Sequence, residues 1–493
     1  MDGHDMLLSP AGVEALRTAL TRAAFTANGI ATRLGPQATG GVARNDFRAA
    51  LRATADGEPL DTLIRVFICE QTEPEAAVAA ALAPLSIDEA LAAGLVERYG
   101  DGLRMGLDLE PYGDDWWVLA DVPGSARPGR PLHAEHVLGI GGATQTMIGA
   151  AVRQPVQSAL DLGTGSGVQA LHLSTHARQV TATDVSRRAL RFAATTAALN
   201  GQRWELLHGD MVQPVAGRRF DLVVSNPPFV VGPGTTTHVY RDSGRVGDAI
   251  GAELAAAADG LLTEGGTMQY LANWVHVAGE DWGERVAGWF AGTGLDAWVI
   301  QREVADPMAY VNLWLTDVGE SADPQRMADW LDWFDAHKVE AIGFGIVSLR
   351  RSGHDDPVLR VEDLRQRVEA PMGDRVAAWF DRQDWLRRQG DGLLDARYRA
   401  ADGLQLRQEA TMGPEGWGVD RQVLAMPHGL RWTEEIDPLV LALVGGADGR
   451  LPLRDQIALL AVAHDVTPDE LAEAAGPIVA HLVERGLIEP VRS

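Results

Sequence analysis

The sequence predicts an α/β fold, with a seven-stranded sheet flanked by N- and C-terminal domains that are mainly helical and winged-helix-like. Three observations lead to this prediction. Short apolar runs alternate with helical patterns from Val156 onward, as in the βαβ units of a parallel sheet. A glycine-rich turn follows the first of these runs directly. Both ends of the chain instead show helical periodicity followed by short alternating runs.

Composition limits the classes of protein to consider. The 493 residues suffice for about three domains. No apolar run is long enough for a membrane helix, and Met1–Asp5 does not begin a signal peptide, so neither is expected. Cys69 is the only cysteine, which excludes an internal disulfide and fits a cytoplasmic location. The net charge of -25 is spread evenly, so no domain has the basic surface of a typical nucleic-acid binder.

Residues 1–125 are predicted to form the N-terminal domain. Apolar residues at helical spacing are followed by two alternating runs, Leu103–Leu109 and Trp116–Ala120, separated by turn residues. Helices followed by a hairpin suggest a winged-helix-like module. Modules of this kind bind nucleic acid or serve as docking units, so this feature alone does not decide the function.

Residues 126–352 are predicted to form the central α/β domain. The loop His136–Thr146 is rich in glycine, which suits either close contact with a ligand or a plain turn. Five strands are expected first, at Ser158–Leu162, Gln179–Thr183, Trp204–His208, Phe220–Ser225 and Gly266–Ala272. Later strands, which would complete the sheet, are expected at Ala297–Glu303, Ala309–Thr316 and Ile342–Arg350.

Residues 353–493 are predicted to form a C-terminal α+β domain. Helical segments are expected at Val361–Glu369 and Arg375–Leu386, and strands at Ala396–Ala400 and Leu404–Glu409. A last helical block ends in a short apolar stretch, which suggests a second small helix-and-wing unit.

The turn Gly163–Gly167 has the features of a cofactor-binding loop. It follows a strand and opens a helix, and its glycines leave room for a ligand against the backbone. Asp184 ends the next strand, where a carboxylate can accept hydrogen bonds from both ribose hydroxyls of a nucleoside. Asp161 is expected near a cationic portion of the ligand, and Asp210 near an adenine amine. The candidate cofactor-binding residues are Asp161, Gly163, Thr164, Gly165, Gly167, Asp184, Val185, Asp210 and Asn226.

Other nucleotide sites also use glycine-rich turns. A dinucleotide fingerprint would have a third glycine at position 168, where this chain has Val168, and no Gly-Lys-Ser/Thr follows to complete a P-loop. The glycine-rich turn lies between a strand and a helix, and Asp161, Asp184 and Asp210 each lie at or just after a strand end. With these features together, the stretch Leu138–Phe229 resembles class I S-adenosylmethionine-dependent methyltransferases. The resemblance implies a Rossmann-like sheet and S-adenosyl-L-methionine as the cofactor.

The segment Ser225–Phe229 follows a strand that ends at the same sheet edge. Asn226 and the carbonyl of Pro227 can accept both N–H groups of a planar amide or amine nitrogen, and Pro228 restricts the backbone. Phe229 can stack on a planar target. The alternative is a plain turn, because Asn-Pro is common in turns. We name these four candidate catalytic residues, Asn226 to Phe229, the clamp.

The Asn-Pro-Pro-Phe motif resembles two groups of N-methyltransferases. One is the small methyltransferase domain group, which acts on guanine or adenine amines of ribosomal RNA or DNA, and the other is the release-factor glutamine methyltransferases. The resemblance implies an N-methyltransferase acting on a macromolecule, with RNA and protein at near parity. A small-molecule N-methyltransferase and a non-catalytic binding module remain alternatives. The histidines show no metal-ligand spacing, so we expect no metal.

Overall fold

A computed structural model gives the fold of the chain. It describes residues 6–113, 116–127, 132–234, 240, 242, 244–317, 324–464 and 467–491. The chain divides into two compact units: unit 1 comprises Met1–Ile148 and Pro155–Asp363, and unit 2 comprises Gly149–Gln154 and Leu364–Ser493. The three-domain division expected from the sequence stays a prediction.

Unit 1 begins with six short helices. They are α1 (Pro10–Arg22), α2 (Ala27–Val42), α3 (Arg48–Ala53), α4 (Pro59–Leu63), α5 (Glu75–Leu82) and α6 (Ile87–Ala92). The side chain of Ser9 accepts a hydrogen bond from the Gly12 N–H and caps α1, and Thr26 caps α2 in the same way. Leu16, Leu20 and Phe25 are fully buried in the core that these helices share.

Two β-hairpins follow, where the sequence predicted one. Strand β1 (Val96–Tyr99) pairs with β2 (Gly102–Met105), and β3 (Leu107–Tyr112) pairs with β4 (Trp116–Asp121). The predicted run Leu103–Leu109 is therefore divided at Gly106. The backbone of Gly106 donates to the Leu95 carbonyl, and a Cβ atom there would lie 2.3 Å from the Gly94 carbonyl oxygen.

Eight strands form the central sheet in the described part of unit 1. Along the chain they are β5 (Val156–Leu162), β6 (Ala177–Asp184), β7 (Glu205–His208), β8 (Phe220–Ser225), β9 (Leu262–Val277), β10 (Asp296–Ala305), β11 (Val339–Arg350) and β12 (Leu359–Asp363). Their spatial order is β12-β10-β11-β9-β8-β5-β6-β7. Strands β5 to β9 pair in parallel, and β11 runs antiparallel to both of its neighbours. The α/β class is confirmed. A seven-stranded sheet was expected, and the sheet has eight strands: β5 to β11 lie at predicted strand positions, and β12 is additional.

The helices of the α/β portion precede the sheet or lie between its strands along the chain. They are α7 (Gly142–Ala150), α8 (Val168–Leu173), α9 (Arg187–Leu199), α10 (Ala249–Leu261), α11 (Trp282–Ala287), α12 (Pro307–Asp317) and α13 (Pro324–Ala336). Side chains from β8, β9 and α10 pack together in a fully buried core, which includes Val223, Tyr270 and Leu254.

Two elements differ from the prediction. The segment Ala309–Thr316, expected as a strand, belongs to the helix α12, because Tyr310, Val311 and Leu315 share one helical face and are fully buried. The predicted helix Val361–Glu369 is wrong, because its first three residues belong to β12 and the rest of the segment is not helical. A carboxylate oxygen of Asp296 accepts the Val358 N–H at 2.8 Å, which aligns β12 with β10.

Unit 2 contains four helices and two small sheets among its described residues. The helices are α14 (Gly373–Gln389), α15 (Pro438–Gly445), α16 (Leu453–His464) and α17 (Pro468–Arg485). The strands are β13 (Arg397–Ala400), β14 (Gln405–Gly413), β15 (Gly416–Ala425), β16 (Thr433–Glu435), β17 (Asp448–Pro452) and β18 (Ile488–Pro490), in the orders β17-β13-β18 and β14-β15-β16. None of the described helices in either unit is both long and apolar enough to cross a membrane.

Candidate active site

The glycine-rich turn connects β5 to α8 at the carboxyl edge of the sheet. Gly163, Gly165 and Gly167 all have positive φ, at 79°, 54° and 88°. A Cβ atom on Gly163 or Gly165 would meet no atom within 4 Å, whereas one on Gly167 would lie 2.7 Å from the ring of Trp204. The first two glycines therefore face open space, and the third lets the turn pack against the protein.

Asp184, at the end of β6, holds this turn in place. Its two carboxylate oxygens accept the backbone N–H of Gly165 at 2.9 Å and of Ser186 at 2.8 Å. Burial raises the pKa of Asp184, and these backbone hydrogen bonds oppose the shift. Strands β5, β6 and β8 are neighbours in register, so the turn, Asp184 and the clamp meet at one edge of the sheet.

Asp161, at the end of β5, is completely buried beneath the turn. One of its oxygens accepts from the Thr164 hydroxyl at 2.6 Å and from the Ala170 N–H at 3.0 Å. Its other oxygen, Oδ1, has no hydrogen-bond partner in the part of the chain that the structure describes. Burial raises the pKa of Asp161 to about 7, and the neighbouring Asp184 adds to the shift. Asp161 thus supports the turn from behind and does not line the cavity.

A cavity of about 410 Å³ opens over the turn, a volume typical of small-molecule sites. Seven of the predicted cofactor-binding residues line it: Gly163, Thr164, Gly165, Asp184, Val185, Asp210 and Asn226. Asp161 and Gly167 lie behind its wall. Residues 136–139 and Thr144, from the glycine-rich loop His136–Thr146, also line it, which supports close contact of that loop with a ligand.

Several cavity residues carried no signal in the sequence. Met211, Gln169 and Arg245 line the cavity, and Arg245 lies 3.3 Å from an oxygen of Asp210 and 3.1 Å from one of Glu253. They come from irregular segments or from a short helix, and only the tertiary fold brings them together. Tyr240 and Asp242, which follow the clamp in the chain, also line the cavity, and residues 241 and 243 lie outside the described part.

The clamp follows β8, where the Ser225 hydroxyl donates to the Leu162 carbonyl of β5 at 2.7 Å. Asn226 and Pro228 line the cavity, and Pro227 is buried. The side-chain oxygen of Asn226 is buried and has no hydrogen-bond partner among the described residues. Phe229 lies off the cavity wall and packs edge-on against Trp314 of α12, with ring centroids 6.0 Å apart.

The segment that follows the clamp is held by hydrogen bonds to Tyr310 of α12. The Tyr310 hydroxyl accepts hydrogen bonds from the Val231 N–H at 2.8 Å and from the side-chain amide of Asn273 at 3.0 Å. Asn273 and Trp274 are both buried, so Trp274 is a core residue. Among the described residues no group of three or more histidine, cysteine, aspartate or glutamate side chains is placed to hold a metal ion.

The chain matches three family models. Residues 139–278 match the Methyltransferase small domain, and residues 22–106 and 377–490 match two domains of unknown function (DUF7059 and DUF7782). The chain resembles a ribosomal RNA small subunit methyltransferase C of Alcanivorax borkumensis, with 32% identity over 31% of this chain and 44% of that protein. It also resembles a release factor glutamine methyltransferase of Agrobacterium fabrum, with 36% identity over 22% of this chain and 42% of that protein.

The chain thus spans less than half the length of these two relatives. Among solved structures it is similar to a ribosomal protein L11 methylase of Lactobacillus delbrueckii, with 20% identity, 43% of this chain and 80% of that chain covered, and a TM-score of 0.25. A similarity this low adds nothing to what the strand order shows. The turn, Asp184 and the clamp all lie within residues 139–278, the part of the chain that matches the model of the Methyltransferase small domain.

Proposed function

We propose that this protein is an S-adenosylmethionine-dependent N-methyltransferase, acting on a planar exocyclic amine or amide nitrogen of a macromolecule. The side-chain oxygen of Asn226 carries the proposal. It is buried at the wall of the cavity and has no donor among the described residues. A buried acceptor without a donor is unfavourable, and an N–H group of the substrate would satisfy it.

The cavity fits the cofactor. S-adenosyl-L-methionine, when bound, supplies a methyl group on a sulfonium centre, where it is electrophilic. Gly163 and Gly165 leave open space against the backbone for the ligand. Asp184 would accept hydrogen bonds from the ribose hydroxyls, and Asp210 from the adenine amine. Val185, which is 47% exposed and lines the cavity, offers an apolar surface to the planar base.

The clamp would orient the acceptor nitrogen. The Asn226 side-chain oxygen and the Pro227 carbonyl each accept one N–H, which fixes a planar nitrogen with one face towards the methyl group. Pro227 and Pro228 restrict the backbone that holds these acceptors. No strong base is needed beforehand, because the proton can leave the nitrogen after the methyl group has been transferred.

The substrate is proposed to be either a ribosomal RNA base or a protein glutamine. The names of the two relatives support one substrate each. The net charge of -25 favours protein, because an acidic surface repels nucleic acid. Phe229 favours RNA, because the ribosomal RNA enzymes that the motif resembles often carry Phe at its last position, whereas the glutamine enzymes more often carry Tyr. Either substrate would place the activity in the cytoplasm.

Radiolabelled S-adenosylmethionine distinguishes these substrates. The protein is incubated with cell lysate and the labelled cofactor, and the product is then treated with RNase or with protease. Loss of macromolecular label with RNase identifies RNA, and loss with protease identifies protein. Label that survives both treatments would contradict a macromolecular substrate and support a small-molecule acceptor.

Asn226→Ala tests the clamp. We expect a loss of activity of about 100-fold or more, because the acceptor nitrogen is no longer positioned. Cofactor affinity, measured by calorimetry, should change much less, since Asp184 and the glycine turn are intact. Asn226→Asp keeps an oxygen acceptor at this position and serves as the comparison. An alanine variant with full activity would refute the proposed role of Asn226.

A further inference from the structure

Unit 2 contains a β-ribbon whose outer strand has an unpaired edge. Strand β14 pairs with β15, and β15 pairs with β16, which leaves the other side of β14 without a partner strand among the described residues. All nine residues of β14 are exposed. A long exposed edge is a template for pairing with a strand of another chain.

The register shows which backbone groups point out of this edge. The Ile436 N–H donates to the Gln422 carbonyl at 2.9 Å, so the backbone groups of Gln422 face β16. Gln408 stands directly opposite Gln422 in the β14–β15 ladder. In an antiparallel pair the N–H and C=O of one residue point to the same side. The backbone N–H and C=O of Gln408 therefore point away from β15, into the free edge.

We propose that β14 pairs antiparallel with β14 of a second copy of this chain, across a two-fold axis at Gln408. The N–H of each Gln408 then donates to the carbonyl of the other. This register places Arg407 opposite Glu409 of the partner subunit, and the symmetry repeats the pair. An axis at Arg407 or at Glu409 would instead set like charges directly opposite each other, which is unfavourable. The charge pattern of the strand thus favours the axis at Gln408 over an axis at either charged neighbour.

The other face of β14 supports the same register. Leu406 comes opposite Ala410 of the partner subunit, and Leu404 comes opposite Met412 of the partner subunit. Leu406 and Met412 are 42% and 57% exposed, and Met412 stands beside Trp417, which is 70% exposed. Pairing would bring these apolar side chains against each other. A single pair of strands buries little area, so the dimer is expected to be weak and dependent on concentration.

Analytical ultracentrifugation of the full chain tests the dimer, independently of the proposed enzymatic function. The wild type should dimerise as its concentration rises, and Gln408→Pro should abolish this by removing the outward N–H. Proline is tolerated on an edge strand where the N–H faces away from the sheet, so the ladder with β15 should survive. Circular dichroism checks that it does. Gln408→Ala keeps the N–H and should dimerise like the wild type.

Charge exchange tests the register. Arg407→Glu should weaken dimerisation about tenfold, because it replaces two attractive pairs by two repulsive ones. Adding Glu409→Arg should restore the association. Within one chain Glu409 lies 3.6 Å from Arg421, and the double variant loses this pair too, so recovery would have to come from contacts between copies. A monomeric wild type, a dimeric Gln408→Pro variant or a double variant without recovery would each overturn the proposal.

Discussion

At the scale of single residues, the carboxyl group of Asp161 is fully buried beneath the glycine-rich turn of the site. Its pKa is raised to about 7 by burial. Below about pH 4 the folded and unfolded chains both carry the proton, so this carboxyl does not affect the pH dependence. As the pH rises from about 4 to 7, the unfolded chain releases a proton that the folded chain keeps, and stability falls. Above about pH 7 both chains have released the proton, and the loss of stability no longer changes with pH.

The substitution Asp161→Asn should remove this loss of stability at rising pH. Asparagine keeps an oxygen that can accept from Thr164 and from the Ala170 N–H, and it cannot ionise. We expect the free energy of unfolding of the variant, relative to wild type, to increase by roughly 3 kcal/mol between about pH 4.5 and pH 8. Denaturant titrations at the two pH values measure it. An identical difference at both pH values would contradict the prediction.

At the scale of elements, the sequence predicted best where local signals suffice. The predicted strand Phe220–Ser225 coincides with β8, and those at Ser158 and Gln179 each lie within the observed strand. A buried parallel strand is a continuous apolar run between turn residues, and both features are visible in the sequence. The α/β class and the position of the glycine turn follow from such signals.

The errors occur where distant contacts decide the structure. Tyr310, Val311 and Trp314 favour strands by intrinsic propensity, which explains the wrong prediction for α12. In the fold, the Tyr310 hydroxyl accepts hydrogen bonds from Val231 and Asn273, which lie in separate parts of the chain. The position of β12 likewise depends on Asp296, more than sixty residues earlier. Neither contact leaves a local pattern.

The turn between β5 and α8 allows a matched pair of glycine substitutions. Gly165→Ala and Gly167→Ala both place a Cβ atom at positive φ, which costs about 1–2 kcal/mol for an L-residue. Only the Gly167 variant also meets the ring of Trp204. We therefore expect thermal denaturation to show the larger loss of stability for Gly167→Ala. Gly165→Ala should instead weaken cofactor binding, because its methyl group enters the cavity. The reverse order in either measurement would contradict this division of roles.

At the scale of the whole molecule, the sequence predicted the parts of the site better than their assembly. The turn, Asp184 and Asn226 were placed correctly at one edge of the sheet, because parallel strands bring their carboxyl ends together. The contact of Phe229 with Trp314, and the approach of Arg245 to Asp210, were not foreseen. Arg245 lies in the segment after β8, and Trp314 lies in α12 after β10. Tertiary packing determines where these two segments lie.

Binding of the cofactor should stabilise the folded protein by mass action. The residues that line the cavity lie between 135 and 245, all in unit 1, so the gain concerns unfolding of that unit. At a free concentration of S-adenosylmethionine about 100 times its Kd, the gain is about 2.7 kcal/mol. Scanning calorimetry should show it as a rise of a few degrees in the transition of unit 1. Asp184→Ala, which removes the proposed ribose acceptor, should show a smaller rise at the same concentration. An unchanged transition in the wild type would contradict cofactor binding, since a ligand that binds only the folded state must raise its stability.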